Sequence, residues 1–188
     1  MRCIYCGTPL SAIDYCTGCG ADVTLQKLIV RISNLLYNEG LEKASVRDLS
    51  GAISCLKRSL KFNKENIDAR NLLGLVYYET GEVVSALSEW VISKNTVEEN
   101  NAADFYIAKL QANKNKLDTI NQTIKKYNQA LLYCKQDDED MAVIQLKKVL
   151  SQNPNLIKAY HLLSLVYMKQ QEYEKARKLL KKAAQIDT

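Results

Sequence analysis

A spacing of thirty-four residues governs this chain. Gly74 and Ala86 stand twelve apart, and thirty-four residues upstream lie Gly40 and Ala52. Ser164 and Ala176 also stand twelve apart, and thirty-four upstream lie Ala130 and Ala142. A small residue where two helices cross lets their backbones approach, so the recurrence predicts one crossing per unit. Periods of this length mark stacked supersecondary units, none of which can bury its apolar side alone. With 7 Gly and 2 Pro in 188 residues the chain lacks the punctuation of a strand-and-turn protein, and helix is expected. Hydrophobic residues at 47% and charged residues at 25% are globular values.

Further positions keep the period. Leu73, Gly74 and Tyr77 are followed by Gly81, Ala86 and Trp90. Leu163, Ser164 and Tyr167 are followed by Tyr173, Ala176, Leu180 and Ala183. Pro154 falls where a helix must stop. These residues resemble the tetratricopeptide repeat, a helix–turn–helix unit patterned W-x-x-L-G-x-x-Y…A-x-x-x-F…P. The resemblance assigns repeats at about 33–66, 67–100, 123–156 and 157–188. The first departs, with Glu39 for the Leu and Lys43 for the Tyr; the third lacks the Leu-Gly pair but keeps Tyr133, Ala142 and Pro154. The fold it implies is all-α, a right-handed superhelix of helix pairs over 24–188.

Residues 101–122 interrupt the period. "NAADFYIAKLQ" reads as a short helix and "ANKNKLD" as a turn, with the next helix starting near Asp118. From Leu117 the residues Ile120, Ile124, Tyr127, Leu131 and Cys134 follow at helical spacing on one face. This helix would extend repeat three backwards and form a joint between two repeat pairs.

In the tetratricopeptide family the first helix of each pair lines a concave groove. Carried onto this chain, the groove-facing residues are Tyr37 and Leu41, Asn71, Leu75 and Tyr78, Tyr127 and Leu131, and His161 and Leu165. The resemblance implies an apolar trough that receives a segment of a partner protein. The alternative is that the leucines pack on their own neighbours. The set of Lys, Arg and Asn side chains by which some family members grip a peptide carboxylate is missing, Lys158 and Asn71 being its only candidates. His161 is expected to be a contact residue, and Cys55 a core residue.

Ahead of the repeats, Cys3, Cys6, Cys16 and Cys19 form two Cys-x-x-Cys-Gly units with nine residues between them. Two such turns supply four thiolates, the tetrahedral set of a closed structural zinc site. Gly7 and Gly20 follow each second cysteine, where a sharp turn favours glycine. A short hairpin bending near Pro9 would join the two. So few residues cannot fold on apolar burial, so the metal must supply the energy. The stretch resembles the short bacterial zinc ribbons, which implies one structural Zn²⁺ per chain over residues 1–22. Iron fits the same ligands, and a redox dithiol is disfavoured because no helix follows either pair.

The net charge of +5 is too small to indicate nucleic acid by itself. Its excess lies in repeat four, in Lys175, Arg177, Lys178, Lys181 and Lys182 among others. The apolar run "LQKLIVRISNLLY" is broken by Arg31 and too short to cross a membrane. Without an export signal a cytoplasmic location is expected, or the cytoplasmic face of a membrane if the chain belongs to a longer, anchored protein. Nothing caps the last repeat, so either the chain continues or that end docks onto another chain or a second copy. The function expected is a non-enzymatic protein–protein interaction scaffold. The alternative is a nucleic-acid-associated regulator using the ribbon and the basic fourth repeat.

Overall fold

The computed structural model describes residues 1–97, 100–112 and 114–188, with the backbone alone for 114–116. Nine helices lie among them: α1 (Thr24–Ser45), α2 (Leu49–Phe62), α3 (Ile67–Glu79), α4 (Val83–Thr96), α5 (Ala102–Gln111), α6 (Lys114–Lys135), α7 (Glu139–Gln152), α8 (Ile157–Lys169) and α9 (Tyr173–Ile186). The only extended pairing in the described residues is two isolated bridges before α1. Helices α1 and α2, α3 and α4, α6 and α7, and α8 and α9 pair as antiparallel hairpins, and α5 packs on α4.

The four hairpins turn in the same way. Arg47, Gly81, Asp137 and Gln171 hold left-handed φ angles of 64°, 77°, 56° and 62°. In each turn the following amide reaches back five residues: Asp48 to Lys43, Glu82 to Tyr77, Asp138 to Tyr133 and Glu172 to Tyr167, at 2.8–3.0 Å. This is the bond that closes a helix end through one left-handed residue. Side-chain caps then start several helices: Asp48 accepts from Gly51, Asn66 from Ala69 and Asp138 from Met141. The acidic run 137–140 thus serves as a helix start.

The small residues mark the crossings. A Cβ on Gly40 would stand 2.8 Å from Leu56 Cγ, and one on Gly74 would stand 2.3 Å from Trp90 Nε1. Ala52, Ala86, Ala130, Ala142, Ser164 and Ala176 are all buried. Two main cores result. One centres on Leu56, Leu73 and Trp90, with the Tyr106 ring of α5 stacked 5.0 Å from Trp90. The other centres on Leu146, Leu163 and Tyr167. Cys55 is buried in the first hairpin.

Two expectations are corrected. Helix α6 starts at Lys114, not near Asp118, because 114–117 contain no Gly or Pro to halt it; of the turn expected over 112–118, Asn113 lies outside the described residues. Pro9 pairs with Arg2 across an isolated bridge. It therefore closes the first cysteine turn instead of bending a hairpin between the two.

The two halves of the array also touch each other. Asn153 Nδ2 donates to the Gly81 carbonyl at 2.9 Å, and the Ile157 amide to the Thr80 carbonyl at 3.4 Å. The end of α9 meets the α1–α2 turn of its own chain. The array therefore folds back after α5, with the second half set edge to edge against the first.

Candidate functional site

Each cysteine pair builds its own knuckle, and the second repeats the first thirteen residues on. The Cys3 amide donates to Thr8 and Cys16 to Ala21; Gly7 donates to Cys3 and Gly20 to Cys16; Leu10 donates to Met1 and Val23 to Asp14. Gly7 and Gly20 take φ of 73° and 72°. The two knuckles face each other and bring all four sulfurs within 4.8 Å of one another. Cys3 and Cys19 are 3.9 Å apart, and Cys6 and Cys16 3.4 Å. A tetrahedron with metal–sulfur bonds near 2.3 Å needs sulfurs about 3.8 Å apart. The four donors therefore fit a metal ion.

The local electrostatics split the outer thiols, favouring thiolate at Cys6 and opposing it at Cys19. The Thr8 hydroxyl, its backbone and the neighbouring sulfurs hold Cys6 down to about 6. At Cys19 the Ala21 amide acts to lower the value, yet the Cys6 sulfur and the other thiols push it up to about 12. The Gly18 amide points at Cys16 Sγ from 3.4 Å. Cys3, Cys16 and Val23 are buried together, with Leu10 against them.

The knuckles are seated on the first turns of α1. Gln26 Nε2 donates to the Arg2 carbonyl at 2.6 Å, and Gln26 Oε1 accepts from the Ile4 amide at 3.3 Å. Lys27 donates to the Ile13 carbonyl in the second knuckle and lies 3.8 Å from Asp14.

The residues expected in the groove fall into three groups. Tyr78 and Tyr127 come together on a cavity of about 310 Å³, beside Val83, Val84, Ile120 and Ile124. It opens where the α3–α4 turn, α6 and the α7–α8 turn meet. Burial pushes the Tyr127 phenol up, with Lys158 opposing. At the cavity Lys158 pairs with Glu82 at 2.7 Å, so it is already engaged. Asn71 lies elsewhere, in a polar cleft with Asn34, Asn66 and Asp68. Its Nδ2 donates to Asn101, while its buried Oδ1 has no partner among the described residues.

The rest divide by exposure. Leu41 and Leu165 are 44% and 61% exposed, and His161 is exposed. Tyr37 and Leu75 are half-buried against the first core, and Leu131 is half-buried on α6. The cavity also uses Val83, Val84, Gln152 and Leu156, which the repeat pattern did not single out. They meet only because the array folds back, and the one sequence signal for that is the insert at 101–122.

The fold and its four equivalent turns define a class, the all-α helical repeat arrays. Residues 157–188 match the family model described as "Tetratricopeptide repeat", and the three other hairpins share that pair's turn and crossing. No curated protein matches the chain. Among solved structures it is similar to MamA, at 23% identity over 78% of this chain and 93% of that one, with a TM-score of 0.34. YrrB, described as "a TPR protein with an unusual peptide-binding site", shares 19% over 87% and 92%, with a TM-score of 0.42. Pseudomonas aeruginosa pilF shares 18% over 85% and 78%, with a TM-score of 0.41. Among the described residues no helix is long and apolar enough to cross a membrane.

Proposed function

We propose that this protein is a non-catalytic interaction scaffold whose repeats, over about 24–188, bind a segment of a partner protein. The observation that carries this is the convergence of Tyr78 and Tyr127, from different halves, on one apolar-walled cavity. Aromatic anchors with a polar tip suit a site that must be dry inside and wet at its mouth. Its charged groups, Glu82 and Lys158, neutralise each other, which suits a contact site better than a proton-transfer site. Leu41, His161 and Leu165, exposed on α1 and α8, would extend the contact. In this reading the partner offers an apolar side chain to the cavity. Peptides selected from a random display library should lose binding when Tyr78→Ala and Tyr127→Ala are combined. Selection of the same peptides by the double variant would refute the reading.

We further propose that residues 1–22 form a ribbon held by one structural Zn²⁺ on Cys3, Cys6, Cys16 and Cys19. An all-thiolate set leaves no open coordination position, so the metal would organise the fold and not react. Such thiols stay reduced in the cytoplasm, where we place the protein. Elemental analysis of purified protein should give one zinc per chain; iron in its place would correct the metal but not the site.

A second reading rests on α9, where Arg177, Lys178, Lys181 and Lys182 are exposed and make no ion pair among the described residues. Contact with nucleic acid through this helix would weaken steeply with salt and on replacing Lys178 and Lys182.

A further inference from the structure

The last residues of the chain are held by the first hairpin. Asp187 Oδ1 accepts from the backbone amides of Leu49 at 2.6 Å and Ser50 at 3.1 Å, at the start of α2. A helix start leaves such amides short of partners: Leu49 also reaches the Arg47 carbonyl at 2.9 Å, and Asp48 takes the next amide, Gly51. The Arg47 guanidinium donates to the Ile186 carbonyl through Nε and Nη2, at 3.3 and 3.1 Å. The Thr188 amide donates to the Arg47 carbonyl at 3.0 Å, and its hydroxyl to the Val46 carbonyl at 3.1 Å. Ile186 packs on the first core and on the cluster of Ile157, Tyr160 and Ala183.

This contact has a counterpart. Asp187 stands thirty-four residues after Asn153, and Arg47 thirty-four before Gly81. Asn153 to Gly81 and Asp187 to the Arg47 turn therefore join equivalent places of the repeat in the two halves, although Asn153 donates to a carbonyl and Asp187 accepts from amides. The two are built differently. The inner bridge is a neutral amide beside a glycine pressed on backbone, flanked by the Glu82–Lys158 ion pair, whose carboxylate is largely buried. The outer bridge carries a carboxylate and a guanidinium, and most of its polar contacts are exposed, where water and salt compete for them. The substantial helix packing otherwise runs within each half or through the α5–α6 joint.

We infer that residues 186–188 are a releasable clasp. They close the second half on the first about the α5–α6 joint, and their release widens the junction cavity to a partner segment. The second clause rests on the reading of that cavity as the contact site; the clasp itself does not.

The test uses the full chain without a partner. Arg47→Gly removes the guanidinium from a left-handed position that glycine accepts, and Asp187→Ala removes the carboxylate. In the double variant the Leu49 and Ser50 amides should exchange about tenfold faster or more, while Leu56 and Leu73 amides stay protected. The radius of gyration from solution scattering should rise. The methyl resonances of Val83, Val84, Ile120 and Ile124 should shift, although all lie away from the substitutions. Arg47→Gly alone should shift the same methyls, which decides the matter if the double variant folds poorly. Faster exchange at Leu49 and Ser50 with unchanged radius and methyls would reduce the contact to a local cap and overturn the clasp. So would an unaltered protein of two-chain mass that becomes single on substitution, since the contact would then join copies. Loss of peptide binding in the Tyr78 and Tyr127 variant leaves these readouts untouched, so the two readings fail separately.

Discussion

Gly81 is pressed against the backbone of Leu156: a Cβ at position 81 would stand 2.7 Å from the Leu156 amide nitrogen. The glycine also holds φ at 77°. Gly81→Ala therefore meets two penalties, left-handed strain and a backbone that must move. Their sum is about 2–5 kcal/mol. Urea unfolding should show a lowered midpoint. The Ile157 amide, bonded to Thr80 across the same contact, should lose exchange protection first.

Gly74 leaves room for the Trp90 indole, whose Nε1 donates to the Asn71 carbonyl at 3.2 Å. Gly74→Ala should cost about 1–3 kcal/mol by overpacking. In a Trp90→Leu background the same change should cost clearly less, because the atoms it strikes are gone. A double-mutant cycle by chemical denaturation reads that difference.

Gln171 is exposed and holds φ at 62°. Gln171→Gly should stabilise the protein by about 0.5–1 kcal/mol, the relief of left-handed strain exceeding the added freedom of the unfolded chain. Thermal melting should show the rise.

Asp48 is held below the ordinary carboxylate range by the Lys43 ammonium and then by the Gly51 amide. Because its folded value is depressed, the stability it contributes is present at neutral pH. It is lost as the pH falls through the ordinary range, near 4, and below. Melting temperatures of the unaltered protein and of Asp48→Asn should differ at neutral pH and converge in acid.

Removing metal should unfold the ribbon and spare the array. The two main cores contain no residue before α1. A strong chelator should therefore expose four more reactive thiols while the far-ultraviolet helical signal holds. Acid should release the metal as well, since its thiolate ligands bind protons in competition. Cys16→Ser should weaken metal binding by more than the ~100-fold typical of losing a supporting hydrogen bond.

What could be read in advance was whatever repeats or stays local. The crossings at Gly40, Gly74, Ala130 and Ser164 were visible because steric limits at a crossing leave few residue choices. The cysteine knuckles were visible because metal-binding donors have a fixed spacing. The turns were half visible: Gly81 announces a left-handed residue, whereas Arg47, Asp137 and Gln171 hold the same angle without announcing it. The meeting of Asp187 with Leu49 was hidden. The period ties each end of this contact to another turn but never one end to the other, and Asp187 reads as one more surface acid. Asp187 meets the first hairpin, while Leu180 of the last helix stays 43% exposed. The cavity at Tyr78 and Tyr127 was hidden for the same reason, since half its wall comes from folding back.

Gln26 and Lys27 are adjacent on α1, yet each holds a different knuckle. One attachment would leave the ribbon free to swivel; two, one to each knuckle, oppose that motion. The helix rise sets the ribbon about 13 Å beyond Ser33, where the first repeat takes over. The cysteine-bearing tip thus behaves as a stiff handle, and any body that grasps it also dictates the heading of the array.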